Sequence, residues 1–277
     1  MIYIISLITV YLATVLAFYL FADRIIFNRL HYRSSYQDHD NIIKLANGSV
    51  ALWLPNKQAQ YTIFYCHGNG EDIANIYWLL EELHSRGFAV FALDYRGFGV
   101  SRGVPSEKNS YEDVAVAYKY LINSLNLTPS SIIAFGRSLG SGLVVELART
   151  NKIAGVILEG AFVSAYRVMT YWPLLPFDKY KNFQKLLKMP EIPLLILHGT
   201  KDSVVPLYHA NKLTSLPQAS NASLIVPGAG HSDLIQIAGE KYWQAIDKFV
   251  DHVNKSSKEI IFVKNSASAK SVVIPLT

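Results

Sequence analysis

Cysteine is almost missing from this chain: Cys66 is the one residue of its kind among 277. No internal disulfide can form, so a reducing compartment is permitted though not required. Cys66 lies in an apolar stretch, which casts it as a small buried hydrophobe rather than a reactive thiol. Metal-ligand spacing is missing too. No His-x-His and no His-Glu-x-x-His occurs, so neither a catalytic metal nor another cofactor is expected. Charge is sparse, at 17% Asp, Glu, Lys and Arg against 51% hydrophobic residues. Such a chain can bury a sizeable core and does not have the composition of a disordered one. Internal repeats and low-complexity tracts are lacking, which removes repeat architectures. The net charge of +5 is mild, and no motif or basic face points to nucleic acid.

Charge is absent altogether from Ile2 to Ala22. As a helix, that run is long enough to cross a hydrocarbon layer of about 30 Å. It reads as a membrane anchor rather than a secretory signal. No Lys or Arg precedes it, it is too long, and no small-x-small cleavage site follows. Arg24, Arg29 and Arg33 follow the span directly and favour a cytoplasmic side for the rest of the chain. Lys255, Lys258, Lys264 and Lys270 lie in a Ser-rich C-terminal stretch, expected to be partly disordered and suited to solvent or to anionic headgroups. The expected organisation is an anchor over 1–22, a connector over 23–40, a catalytic domain over 41–255 and a tail over 256–277.

What is present between these ends is alternation. Asn47-Gly48, between two apolar runs, predicts a two-residue hairpin. Apolar strands are predicted at 61–66, 88–93, 131–135, 154–158, 192–197 and 222–226. Helical stretches fall between and after them, at 72–86, 107–124, 139–150, 207–213 and 240–253. This order implies βαβ units, a mainly parallel sheet and helices on both faces: an α/β protein. One interruption, over 161–190, carries Tyr166, Met169, Tyr171, Trp172, Phe177 and Tyr180, and is read as a cap over the C-terminal edge of the sheet.

The chemistry starts at Gly136-Arg137-Ser138-Leu139-Gly140, between a strand and a helix. A serine on such a bend presents its hydroxyl outward, and the small flanking residues let strand and helix close behind it. Serine is a weak nucleophile unless a base takes its proton and an acid orients that base. Ligands in open parallel sheets bind beyond the carboxyl ends of strands, so the partners should lie in loops leaving strands. His231, in Gly230-His231-Ser232-Asp233, is the candidate base, and Asp202, in His198-Gly199-Thr200-Lys201-Asp202, the candidate acid. An oxyanion needs donors as well. The N–H of Leu139 is supplied by the bend, and that of Asn69 by the glycine-rich His67-Gly68-Asn69-Gly70 loop. His67 is read as supporting a turn and His198 as structural, while His31, His39, His84, His209 and His252 are placed on connector or helix surfaces. Gly97, Gly99 and Gly103 do not have dinucleotide spacing, and are read as a turn bordering the pocket.

Together with Asp94-Tyr95-Arg96-Gly97-Phe98-Gly99 and Pro105-Ser106-Glu107, these motifs resemble the α/β-hydrolase family over roughly 41–253. The combination is similar to a membrane-anchored branch holding monoacylglycerol and lysophospholipid lipases and protein depalmitoylases. The depalmitoylases carry an N-terminal cysteine cluster where this chain has its apolar span. The resemblance implies Ser138 as nucleophile, Asp202 as orienter and His231 as base. The expected activity is cleavage of a carboxylic ester or thioester of a small-molecule or lipid-like acyl substrate at a membrane. An amidase or peptidase of the same fold is the alternative within the class, and a non-catalytic membrane-tethered binding protein the alternative outside it.

Overall fold

The computed structural model describes residues 2–27, 41–216 and 222–269, without side chains beyond 256. His31, His39, Arg29, Arg33, most of the expected connector and the tip of the tail lie outside the described residues.

Eight strands form one sheet: β1 (Ile42–Lys44), β2 (Val50–Leu54), β3 (Thr62–Cys66), β4 (Ala89–Asp94), β5 (Ile132–Arg137), β6 (Gly155–Glu159), β7 (Leu194–Gly199) and β8 (Ala222–Val226). Their spatial order is β1-β2-β4-β3-β5-β6-β7-β8, antiparallel at β1/β2 and β2/β4 and parallel elsewhere. The inner strands are apolar without alternation because both faces are covered. Phe64, Phe91, Ala134, Val156 and Ile196 face one core, while Ile63, Val90, Ile133, Ile157 and Leu195 face the other. Helices α3 (Glu107–Asn123) and α4 (Leu139–Thr150) close the first core, and α2 (Tyr77–Ser85) and α9 (Glu240–Ala269) close the second. Ser106 starts α3 by accepting a hydrogen bond from the Asn109 N–H at 3.0 Å.

The chain steps from β3 outward to β4, then returns to the far side of β3 as β5. Loops leaving β3 and β5 therefore diverge, and a crevice opens at this switch point. The loops after β3 and β5 carry Asn69 and Ser138.

Several boundaries differ from the sequence reading. The Asn47-Gly48 hairpin closes through a longer turn: Leu45 and Ser49 pair at 2.9 Å and Gly48 N–H returns to the Leu45 carbonyl at 3.0 Å. An Asn-Gly pair suits this three-residue loop as well as a two-residue one. Helix α2 begins at Tyr77 rather than near 72, because Asp72 and Asn75 exchange side-chain-to-backbone bonds that hold 72–76 in turns. Helix α9 continues through Ala269 past the expected tail boundary, since no Gly or Pro interrupts 240–269.

The cap lies between β6 and β7 and contains α5 (Ala165–Met169) and α6 (Asn182–Leu187). Its base is firmly held. Asp178 accepts from Ser164 Oγ at 2.6 Å and from Tyr166 N–H at 2.9 Å, and buried Tyr180 shares a 2.7 Å bond with Ser110 Oγ. Its tip is exposed at Met169, Tyr171, Trp172 and Leu174. Two short helices, α7 (Tyr208–Thr214) and α8 (Leu234–Ala238), fill the remaining connections.

Helix α1 (Ile2–Ile26) is the one described helix long and apolar enough to cross a membrane. It runs four residues beyond the expected anchor and ends inside the domain. Phe27 is 2% exposed and packs edge-on against Phe98 and Tyr180. Asp23 pairs with Lys179 at 2.7 Å.

Candidate active site

Ser138 occupies the bend between β5 and α4 with φ 49° and ψ −116°. A side chain held there costs about 1–3 kcal/mol, which the surrounding contacts must offset. Its N–H donates to the Glu159 carbonyl at 2.8 Å, and its carbonyl accepts from Ser141 Oγ at 2.6 Å. Both bonds fix the backbone and leave the hydroxyl facing the crevice. The bend also needs α4 to approach β3 closely. A Cβ at Gly140 would collide with the Cys66 carbonyl and stand 2.8 Å from the His67 oxygen, so only glycine fits.

Asp202 follows β7 and is 6% exposed. Its Oδ1 accepts from the Val204 and Val205 N–H groups at 2.9 and 2.7 Å, and its Oδ2 bonds His231 Nδ1 at 2.7 Å. Burial alone would raise this carboxyl; the His231 bond and the Val205 amide outweigh it and hold the group below its usual range. The loop bearing His231 is pinned by Lys201 N–H on the Ala229 carbonyl at 2.8 Å and by Gly230 N–H on Asp233 Oδ1 at 2.6 Å. The imidazole also lies against the end of β6, where a Cβ on Gly160 would come within 3.0 Å of its Cε1.

Ser138 and His231 line one cleft of about 410 Å³ together with Gly68, Asn69, Trp78 and Val204. The Ser138 hydroxyl makes no hydrogen bond among the described residues, so the structure brings serine and imidazole to one cleft without joining them. Catalytic hydrogen bonds are often long before substrate binds. Leu139 opens α4, where helix N–H groups are free and the dipole favours negative charge. In the loop after β3, Gly68 N–H is already taken by Glu71 Oε2 at 2.6 Å, and Asn69 follows with its N–H unpaired among the described residues. The Asn69 side chain donates to the Ile26 carbonyl at 2.7 Å, tying this loop to the end of α1.

Arg137, without a role in the sequence reading, proves to be a junction. Its guanidinium bonds Glu71 beside Gly68, approaches Glu159 Oε1 at 3.1 Å, and donates to the His231 carbonyl at 3.2 Å. Two loops that bound the cleft and the end of β6 thus meet on one side chain. Burial pushes the Glu159 carboxyl up despite Arg137, and Tyr242 adds a 2.6 Å bond to its Oε2. The available signal was an arginine ending a buried strand, with glutamates ending another strand and in the glycine-rich loop.

The remaining histidines divide. His67 is buried; burial pushes its ring down, and Asp94 at 3.1 Å more than reverses this. It therefore sits above its usual range as a brace under its loop, with its carbonyl accepting from Tyr95 Oη. His198 is buried too and bonds the Val205 carbonyl at 2.9 Å. His209 corrects the reading: it is fully buried rather than on a helix surface. Its Nδ1 accepts from Val163 N–H at 3.1 Å, and burial lowers its pKa to about 4. In α7 His209 shares the buried face with Ala210 and Leu213 while Asn211 and Lys212 stay exposed, and seven residues are too few for periodicity to reveal which face turns inward.

A strained serine bend, a sheet switched beside it and a cap between β6 and β7 define a class, the α/β hydrolases. Comparison with known proteins agrees: the chain belongs to the α/β-hydrolase family. The family profile described as serine aminopeptidase, S33, matches residues 57–179. Alpha/beta hydrolase domain-containing protein 17B of Homo sapiens is 35% identical over 199 residues, covering 69% of this chain and 67% of that protein. Protein 17C of Xenopus tropicalis is 34% identical over 201 residues, covering 70% of this chain and 63% of the relative. The chain thus spans about three-fifths of the length of the curated 17C relatives it matches. Among solved structures, an α/β hydrolase from Vibrio vulnificus superposes with a TM-score of 0.63 at 19% identity, covering 82% of this chain and 92% of that one. A monoacylglycerol lipase from Paleococcus ferrophilus gives 0.57 at 21% identity, covering 73% and 98%. These two likenesses concern the fold.

Proposed function

We propose that this chain is a serine hydrolase that cleaves a carboxylic ester or thioester of an apolar acyl substrate at a membrane surface. The observation that carries the reading is the 2.7 Å bond between Asp202 and His231 in loops beside the cleft that Ser138 enters. In this mechanism His231 Nε2 takes the Ser138 proton as Oγ attacks the substrate carbonyl, and Asp202 holds the imidazole in the required tautomer. The N–H groups of Asn69 and Leu139 meet the developing oxyanion. Collapse expels the alcohol or thiol with the proton from His231, and water then attacks the acyl-enzyme with His231 again as base. The domain runs over 41–255 with its cap near 161–190, and Arg24 in the last turn of α1 favours a cytoplasmic face.

Labelling by a fluorophosphonate probe tests the nucleophile. Ser138→Ala should abolish it and lower turnover on the order of 10⁴-fold or more. A panel of acyl esters, thioesters and amides identifies the bond. The profile description, a serine aminopeptidase, favours amide cleavage as the second reading, and amide turnover exceeding ester turnover would establish it. Tight acyl-ligand binding with no turnover and no labelling would overturn catalysis.

A further inference from the structure

Helix α1 does not hang from the domain on a tether. Asp23 is paired with Lys179, the Ile26 carbonyl is bonded by Asn69, and Phe27 is locked in the core. Higher along the same helix, Phe18 and Tyr19 pack edge-on against Tyr166 and Phe177 of the cap. Higher still, Tyr11 Oη donates to the Leu174 carbonyl at 3.1 Å. At 1.5 Å per residue, the step from Asp23 to Tyr11 is about 18 Å along the axis. The cap tip therefore rises beside the apolar helix to roughly the middle of its length.

We infer that the cap tip 170–177 enters the same bilayer as α1, so that helix and tip form one membrane-inserted unit with the acyl chains as their common partner. It rests on α1 entering a membrane. A rigidly docked helix cannot do so and leave behind a segment packed against its middle.

The tip is built for such a place. No charged residue lies between Thr170 and Phe177, while Arg167, Asp178, Lys179 and Lys181 flank it. Trp172 is 68% exposed, with Tyr171 and Leu174 similarly open. In water these side chains form an unexplained apolar patch; beside lipid they are ordinary. The backbone fits as well. Irregular chain is costly in hydrocarbon unless its polar groups find partners. Here Pro173 and Pro176 have no N–H, Leu174 N–H bonds the Trp172 carbonyl at 2.8 Å, Arg167 caps the Tyr171 carbonyl at 2.7 Å and Tyr11 caps that of Leu174.

The test uses the full chain in phosphatidylcholine vesicles, with and without bromine on the acyl chains, which quenches tryptophans that touch it. Wild-type fluorescence should fall in the brominated vesicles. In a Trp78→Phe background, which removes the other strongly exposed tryptophan, Trp172→Phe should remove more than about half of that loss, because Trp243 is buried and Trp53 half-buried. Trp53→Phe should leave the loss unchanged, and a second variant, Leu12→Trp in the Trp172→Phe background, should restore it and report α1 itself. Quenching that survives Trp172→Phe overturns the inserted tip. Quenching at Leu12→Trp with none at Trp172 overturns the tip while leaving the helix inserted, and quenching at neither overturns both.

Discussion

At the scale of single residues, the cleft depends on charges that are half out of water and fully paired. Replacing Arg137 by Met keeps the packing but leaves Glu71 and Glu159 without their common cation. We expect a loss of about 3–5 kcal/mol, read as a fall in unfolding temperature. Turnover should fall as well, since the His231 carbonyl loses its donor. Two groups set separate acid limits. His209 is held neutral in the fold with a pKa lowered from 6.5 to about 4. The unfolded chain binds that proton first, so stability drops as pH falls from about 6.5 to 4 and the loss is complete below. His209→Asn keeps an acceptor for Val163 and should flatten the dependence in this window. Asp202 acts lower: its depressed carboxyl contributes stability above its unfolded value, lost as pH falls through the folded one. Asp202→Asn should remove that acid-side slope. The candidates Ser138, Asp202 and His231 could be named from the sequence because loop position after apolar strands is a sequence property; their catalytic roles are proposals. Arg137 could not, since its three partners come together only when strands β5 and β6 and two loops do.

Elements follow local pattern closely wherever burial is on both faces. Strands β3 to β7 read as nearly unbroken apolar runs because they are buried on both faces. Turn lengths were harder, since Asn47-Gly48 serves more than one hairpin geometry and only pairing of Leu45 with Ser49 settles which. The fit of α4 on β3 leaves no room for a side chain at Gly140. Gly140→Ala should cost about 3 kcal/mol, as the Cys66 and His67 carbonyls cannot retreat without breaking strand pairing. Thermal unfolding about 6–12 °C lower would register it.

The whole molecule is less modular than its sequence reads. An apolar helix, a connector and a domain look separable in one dimension, yet Phe27 and Asn69 stitch α1 to the core and to the loop beside Ser138. Contacts across more than a hundred residues leave no local trace in composition. Phe27→Ala should destabilise the domain by about 3 kcal/mol in chemical denaturation, an effect a loosely tethered anchor would not produce.

Cys66 has a practical consequence at this same scale. It lies fully enclosed beneath the site, and burial pushes its thiol far up from the ordinary range. Alkylating reagents should therefore leave the native protein untouched, making the wild-type chain a ready background for single spin labels or dyes. Any slow modification that does occur would count openings of the sheet centre, one event at a time.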